Sequence, residues 1–116
     1  DGDTIVASCG NKKNQKIRLL GIDCPESSHN QKCKREGDCD SQVPKGVQAK
    51  NRLKEIITPN VKVSFVSKDK YSRNLGYVYT SDTNQDVGLV LLKEHLCKNV
   101  SKKYPHPKAK MYSEAE

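Results

Sequence analysis

Read as a succession of apolar and polar positions, the chain divides into short elements of both kinds. Residues 4–7 are a β-branched run and residues 16–22 a strongly apolar one, with turn-forming residues 10–15 between them, so the pair reads as a hairpin. Pro25 stops the second strand, since proline cannot donate to a ladder. Residues 27–45 are polar, hold two cysteines and show no period, which predicts a long surface loop. From Gly46 the period turns helical, with Val47, Leu53, Ile56 and Ile57 on one stripe and Pro59 as the stop. Val61, Val63 and Phe65 alternate with polar neighbours, as do Leu75, Tyr77 and Tyr79 beyond the polar loop 68–74; both segments read as half-buried strands. Asp86 is placed to cap a second helix over 87–96, with Val87, Val90, Leu91 and Leu92 as its apolar set. Gly88 weakens that helix by about 1 kcal/mol relative to Ala. The tail, with Pro105 and Pro107, reads as irregular, and Ser113 and Glu116 are spaced to cap a further helix. This order of elements, joined by short connections, predicts a small α+β or barrel domain.

Composition narrows the choice. The 116 residues, 34% of them hydrophobic, supply one small core under a charged surface and not two. No stretch approaches the roughly 18 apolar residues of a membrane span, and no charged-then-apolar leader opens the chain. A motif already occupies the first residues, so natural ends carrying any targeting signal are expected outside this sequence. Lys and Arg number 21 against 14 Asp and Glu, a net charge of +7, which favours a polyanionic partner. Lys12, Lys13, Lys16, Lys98, Lys102, Lys103, Lys108 and Lys110 fall in expected turns and in the tail. They make no stripe opposite an apolar face, which speaks against a membrane-surface helix and for nucleic acid.

Five cysteines make an odd count. Cys33 and Cys39 flank the short polar stretch KREGD and form the best candidate pair, as a disulfide, as free thiols or, with His29 nearby, as part of a metal site. In an exported protein the five would give up to two bridges and a spare thiol.

Three segments are unlike ordinary surface: DGDT at residues 1–4, IRLLGIDCPE at 17–26 and DKYSRNLG at 69–76. Arg18 lies inside an apolar strand, where a guanidinium costs several kcal/mol of desolvation unless it meets an anion. An internal ion pair with Asp23 or Glu26 is one answer. A phosphate site is the other, because arginine's planar fork suits bidentate contact with phosphate oxygens. Carboxylates approach a phosphodiester only with a cation between, so Asp3 and Asp23 together would need a hard metal.

In this order and at this spacing, DGDT, RLLGIDCPE and DKYSRNLGYVY closely resemble the staphylococcal nuclease (thermonuclease) family, and the match extends through VGLVLLKEHL to the Tyr-Pro of the tail. The loop at 27–45 departs from the family pattern. The resemblance implies a five-stranded OB-fold Greek-key barrel with two to three helices, α+β and mainly β. Residues 1–116 would form one nuclease domain, beginning late in the family's first strand and stopping where its third helix begins.

By the same resemblance, Asp3 and Asp23 would be carboxylate ligands of a calcium ion, with the backbone carbonyl of Cys24 beside them. Glu26 would be the general base acting on the attacking water. Arg18 and Arg73 would hold the phosphodiester and its developing charge. Lys70 and Tyr71 match positions that contact a terminal phosphate. The family's base-flanking tyrosines align with Ser101 and Lys103, while Tyr104 stands one position away, so Lys103 and Tyr104 are the substrate-binding candidates of the tail. Cys97 and His95 read as packing variants, Asp1 as a support for Asp3, and His29, His95 and His106 as bystanders. The implied reaction is calcium-dependent endo- and exonucleolytic hydrolysis of single-stranded DNA and RNA to 3′-phosphates, by a monomer in a secreted or periplasmic setting. The rival reading is a non-catalytic OB-fold module that binds nucleic acid, like the degenerate nuclease repeats of Tudor-containing scaffolds.

Overall fold

The structure, a computed structural model, describes residues 3–9, 12–71 and 73–115, with only the backbone described at Cys9 and Lys12. Asp1 and Glu116, and with them the support of Asp3 and the capping pair of Ser113, lie outside the described residues. Strand β1 (Thr4–Cys9) pairs antiparallel with β2 (Lys12–Leu19). Backbone pairing carries the ladder through the polar residues Lys12–Gln15 that pattern alone assigned to a turn, for instance at Ala7 opposite Gln15. The apolar run does not continue as one strand. It breaks at Leu20–Gly21, where Gly21 takes φ +83°, and resumes as the two-residue β3 (Ile22–Asp23). Gly21 also lies directly under the tail: a Cβ there would sit 2.4 Å from His106 Nε2 and 2.7 Å from Tyr112 Cδ2.

The expected loop at 27–45 is largely helical. Helix α1 (Gln31–Glu36) starts at Asn30, whose side chain accepts the Cys33 N–H at 2.8 Å. It ends at Gly37, and a disulfide between Cys33 and Cys39 ties it to the first turn of α2 (Cys39–Ile56). Helix α2 therefore begins well before Gly46 and contains Pro44. Its buried stripe is Gly46, Ala49 and Leu53, while Val47 faces solvent. Small residues win this stripe because the helix presses on the chain near Glu26: a Cβ at Gly46 would be 2.1 Å from the Glu26 carbonyl oxygen.

Strands β4 (Val61–Lys68) and β5 (Asn74–Thr80) form an antiparallel pair, and β5 runs parallel to β2, giving the sheet order β1–β2–β5–β4. Strand β4 is an edge strand with a register shift between Phe65 and Ser67. Phe65 consequently lies 51% exposed, although its alternation with Val61 and Val63 placed it inside. Helix α3 (Val87–Lys93) is capped as expected, the Asp86 carboxylate accepting the Leu89 N–H, and ends three residues before Leu96. The short β6 (Lys98–Asn99) pairs antiparallel with β3, and α4 (Ala109–Glu114) closes the described chain.

The class is the α+β, mainly β one expected; among the described residues there are six strands against the five the resemblance implies, the four of the pattern becoming six because one run splits into β2 and β3 and β6 forms in the tail. Four helices replace two to three, the added ones being α1 and α4. Ile17 and Leu19 of β2, Tyr77 and Val78 of β5, Ala49 and Leu53 of α2, and Leu91 and Leu92 of α3 make the core, and Tyr112 of α4 is fully buried against it.

A second disulfide joins Cys24 to Cys97, so Cys97 is a cross-link and not the packing variant expected. The tail is tied back onto the domain by side-chain contacts. Lys108 Nζ meets the Asp86 carboxylate and lies 5.1 Å from the ring centres of Tyr77 and Tyr79, and the Tyr112 hydroxyl donates to both Asp86 oxygens. His106, read as a bystander, bridges Tyr77 and Ser101 through its two ring nitrogens, at 2.6 and 2.7 Å.

Candidate active site

Pairing at the start of the chain assembles the first cluster. Thr4 opposes Arg18 in the β1–β2 ladder, and the Leu19 N–H donates to the Asp3 carbonyl at 2.7 Å, which sets Asp3 beside the end of β2. Asp3 is 4% exposed. Its Oδ2 accepts the Cys24 N–H at 3.2 Å and its Oδ1 accepts from the Thr4 hydroxyl at 3.3 Å. Ile17 and Leu19 point into the core, so strand alternation turns Arg18 to the other face. There Arg18 Nη1 donates to the Leu19 carbonyl at 2.6 Å, and Nη2 lies 3.5 Å from Asp3 Oδ2 and 3.9 Å from Asp23 Oδ1. The desolvation problem posed by Arg18 is thus met by both aspartates at once. Asp23 is also 4.0 Å from Lys98 Nζ, its register partner across β3–β6.

Two carboxylates meet one part-buried guanidinium, and the only further cation among the described contacts is the exposed Lys98 ammonium at 4.0 Å from Asp23. The carboxylates offer oxygen donors only, which is the ligand chemistry of a hard divalent ion such as Ca²⁺, while Cys24 presents its N–H to Asp3. Among the described residues no group of three or more His, Cys, Asp or Glu side chains is placed to hold a metal. A cation here would therefore complete its shell with carbonyl and water oxygens. The alternative metal site at Cys33, Cys39 and His29 does not form: the cysteines are bonded to each other, and His29 Nε2 lies 2.9 Å from Asp40 Oδ1.

Three residues beyond Asp23, Glu26 is only 2% exposed. Its carboxylate partners are on and before α1: Asn30 Nδ2 donates to Oε1 at 3.2 Å, and Lys32 Nζ is 3.7 Å from Oε2. Its backbone N–H donates to Gln42 Oε1 of α2 at 2.8 Å. No internal pair between Glu26 and Arg18 appears among the described contacts; the aspartates fill that role.

Arg73 immediately precedes β5, two residues before Leu75, the register partner of Arg18. Arg73 Nε donates to Asp69 Oδ2 at 2.7 Å, and Asp69 Oδ1 accepts the backbone N–H groups of Tyr71 and Arg73, both at 2.9 Å. Burial pushes the Asp69 carboxyl up, but these hydrogen bonds from Arg73 and Tyr71 outweigh it and hold it below the ordinary carboxylate range. Asp69 was not among the expected site residues, although an Asp two and four positions before the residues it caps is the signal of such a turn. Tyr71 is 69% exposed, with the Lys70 ammonium 5.2 Å and the Arg73 guanidinium 5.8 Å from its ring centre.

The tail carries a second such pair. Lys103 Nζ lies 5.3 Å from the ring centre of the exposed Tyr104, and both sit in the turn that the Ser101–His106 contact closes. Ser101 itself is buried and offers no surface to a base. The structure therefore brings Asp3, Arg18, Asp23 and Cys24 into contact. Glu26 is held from α1, Arg73 by Asp69, and the two Lys–Tyr pairs are displayed on separate loops. A groove of about 810 Å³ begins at Asp23, Cys24 and Pro25 and runs between Gln42 and Lys45 of α2 and the end of α3 near His95.

A family model described as staphylococcal nuclease homologue matches residues 16–116. Endonuclease YhcR of Bacillus subtilis is 37% identical over 98 residues, covering 80% of this chain and 8% of the relative. An uncharacterized endonuclease of Haemophilus influenzae is 30% identical over 95 residues, covering 81% of this chain and 44% of the relative. The chain spans less than half the length of either relative.

Proposed function

Because the chain belongs to the staphylococcal nuclease homologue family, whose β core is of the OB type, we propose that it is a calcium-dependent nuclease that hydrolyses phosphodiester bonds in single-stranded DNA and RNA, internally and from ends, leaving 3′-phosphates. The observation that carries the reading is the convergence of Asp3 and Asp23 on Arg18. In this reading Asp3, Asp23 and the Cys24 carbonyl hold Ca²⁺, which when bound supplies charge neutralisation and orientation of the phosphate. Arg18 and Arg73 donate to the non-bridging phosphate oxygens, where charge develops in the transition state. Glu26 takes the proton of the attacking water. Lys70 and Tyr71 contact the terminal phosphate of the bound strand, and Lys103 and the exposed Tyr104 contact the strand from the tail. Contacts of this kind ignore the sugar and favour single strands. The names of both relatives, each an endonuclease, support the reaction class.

The two disulfides suit an oxidising compartment, so the proposed setting is secreted or periplasmic and the working form a monomer. No helix among the described residues is long and apolar enough to cross a membrane. The test is cleavage of labelled single-stranded DNA and RNA oligonucleotides with Ca²⁺ and with chelator, for the wild type and Glu26→Gln. Cleavage in Ca²⁺ alone is expected, with Glu26→Gln losing on the order of 10²–10⁴ in rate while still binding the oligonucleotide. Binding without cleavage in either condition would replace the nuclease with a non-catalytic nucleic-acid-binding module.

A further inference from the structure

Resting on the reading of Glu26 as general base, we propose that the segment 30–42 is a positioning clamp for that carboxylate, in which Asn30 and Lys32 fix its two oxygens and the Cys33–Cys39 bridge fixes Asn30 and Lys32.

The clamp is built from contacts that share residues. A carboxylate 2% exposed is tolerated only when it is paired, and here Asn30 Nδ2 donates to Oε1 at 3.2 Å while the Lys32 ammonium forms an ion pair 3.7 Å from Oε2. A hydrogen bond at one oxygen and a cation near the other restrain the carboxyl plane more than one contact would. The other end of the Asn30 amide caps α1 through the Cys33 N–H, so the start of the helix and the orientation of Glu26 are set by one side chain. Helix α1 is six residues long, too short to persist without external support. Its support is the buried Cys33, cross-linked to Cys39 at the head of α2. Gln42 of α2 closes the loop: its Nε2 lies 3.8 Å from the Cys33 sulfur and its Oε1 accepts the Glu26 N–H. Side chain and backbone of Glu26 are thus tied to one cross-linked pair of helices. A general base works only when held close to the proton it takes, and loose placement costs rate without costing substrate affinity.

Three full-chain variants test this. Asn30→Ser keeps a capping oxygen but removes the donor to Glu26. Lys32→Met keeps the stem of a half-exposed side chain and removes its ammonium. Cys33→Ser with Cys39→Ser removes the cross-link. Each is expected to lower kcat on a single-stranded oligonucleotide by about 10-fold or more, with KM within about twofold and oligonucleotide binding retained. In a Glu26→Gln background Asn30→Ser is expected to change nothing further, because its effect runs through that carboxylate. The clamp is overturned if Glu26→Gln is inactive while Asn30→Ser and Lys32→Met keep the wild-type kcat, or if Asn30→Ser costs the same factor with and without Glu26. A rise in kcat would also overturn it, since the contacts would then restrain the base. A fully active Glu26→Gln would instead remove the parent reading, an outcome distinct from all of these.

Discussion

The backbone N–H of Cys24 donates to the Oδ2 of Asp3 at 3.2 Å, so the residue before β1 and the residue after β3 are joined across 21 positions of chain. One carboxylate is tied to the residue that follows the other. Asp3 thereby serves the architecture of the candidate cation site as well as its charge.

Asp3→Asn separates those two duties, since the amide oxygen can still accept from Cys24 while the charge is gone. Ca²⁺ at 100 times its dissociation constant is expected to stabilise the wild type by about 2.7 kcal/mol. The Asn variant should show little of that gain at the same concentration and bind Ca²⁺ at least ~10-fold more weakly. Thermal melting and calorimetric titration read both, and an undiminished calcium effect in the variant would remove Asp3 from the ligand set.

The Cys24–Cys97 bridge closes a loop of 73 residues in the unfolded chain. Chain entropy puts its contribution at about 4 kcal/mol. Cys24→Ala with Cys97→Ala should lower the urea midpoint accordingly, and reductant should then cost the variant much less than it costs the wild type. An unchanged midpoint would mean that the two-residue β3–β6 ladder already holds that corner.

Lys108 and Asp86 form a largely buried pair enclosed by tyrosines. Lys108→Met leaves Asp86 with no cation, and a loss of about 3–5 kcal/mol is expected from urea unfolding at neutral pH. Alkali should act in the same direction. Burial lowers the Lys108 pKa, but the hydrogen bond and charge of Asp86 more than offset it and raise it above 10.5; burial, then Asp86, pushes the Tyr112 hydroxyl far above 10. Both groups keep their protons when folded and lose them sooner when unfolded, so stability falls as pH rises past about 10. A flat profile between pH 8 and 11 would contradict the pairing.

Burial lowers the His106 pKa below 6.5, Lys108 adding to the shift and Asp86 partly opposing it. The unfolded chain therefore takes up this proton first, and stability should fall as pH drops below about 6.5 until the folded state is protonated too. Urea midpoints at pH 7 and 5 measure the slope. His106→Gln should be less stable at both values yet lose less between them, and an identical slope would assign the acid sensitivity elsewhere.

Much of the site was readable in advance because its oddities are chemical. Arg18 in an apolar strand demands an anion, and the structure supplies Asp3 and Asp23. The capping of α3 by Asp86 was readable for a similar local reason, whereas the second use of that carboxylate, by Lys108 and Tyr112, depends on how the tail folds back. Segment 27–45 hid its helices because α1 rests on a cap and a cross-link and carries no apolar period of its own. The α2 stripe was right at Leu53, with Ile56 and Ile57 packed against the core, and wrong at Val47, because the close approach to Glu26 selects Gly46 for smallness and hydrophobicity does not register it. Phe65 was placed inside because alternation does not reveal that β4 is the sheet's edge. The Cys24–Cys97 pairing required the folded path between α3 and β6, which no spacing encodes.

Gly21 supplies bare backbone where the rings of His106 and Tyr112 come to rest, so even a methyl group would displace both. The joint between barrel and tail is consequently a matched fit whose halves are specified 85 or more residues apart. Among proteins sharing this architecture, a larger residue at that bend should travel with a different aromatic arrangement in the tail, and a tail transplanted between such proteins should seat only when its bend comes with it.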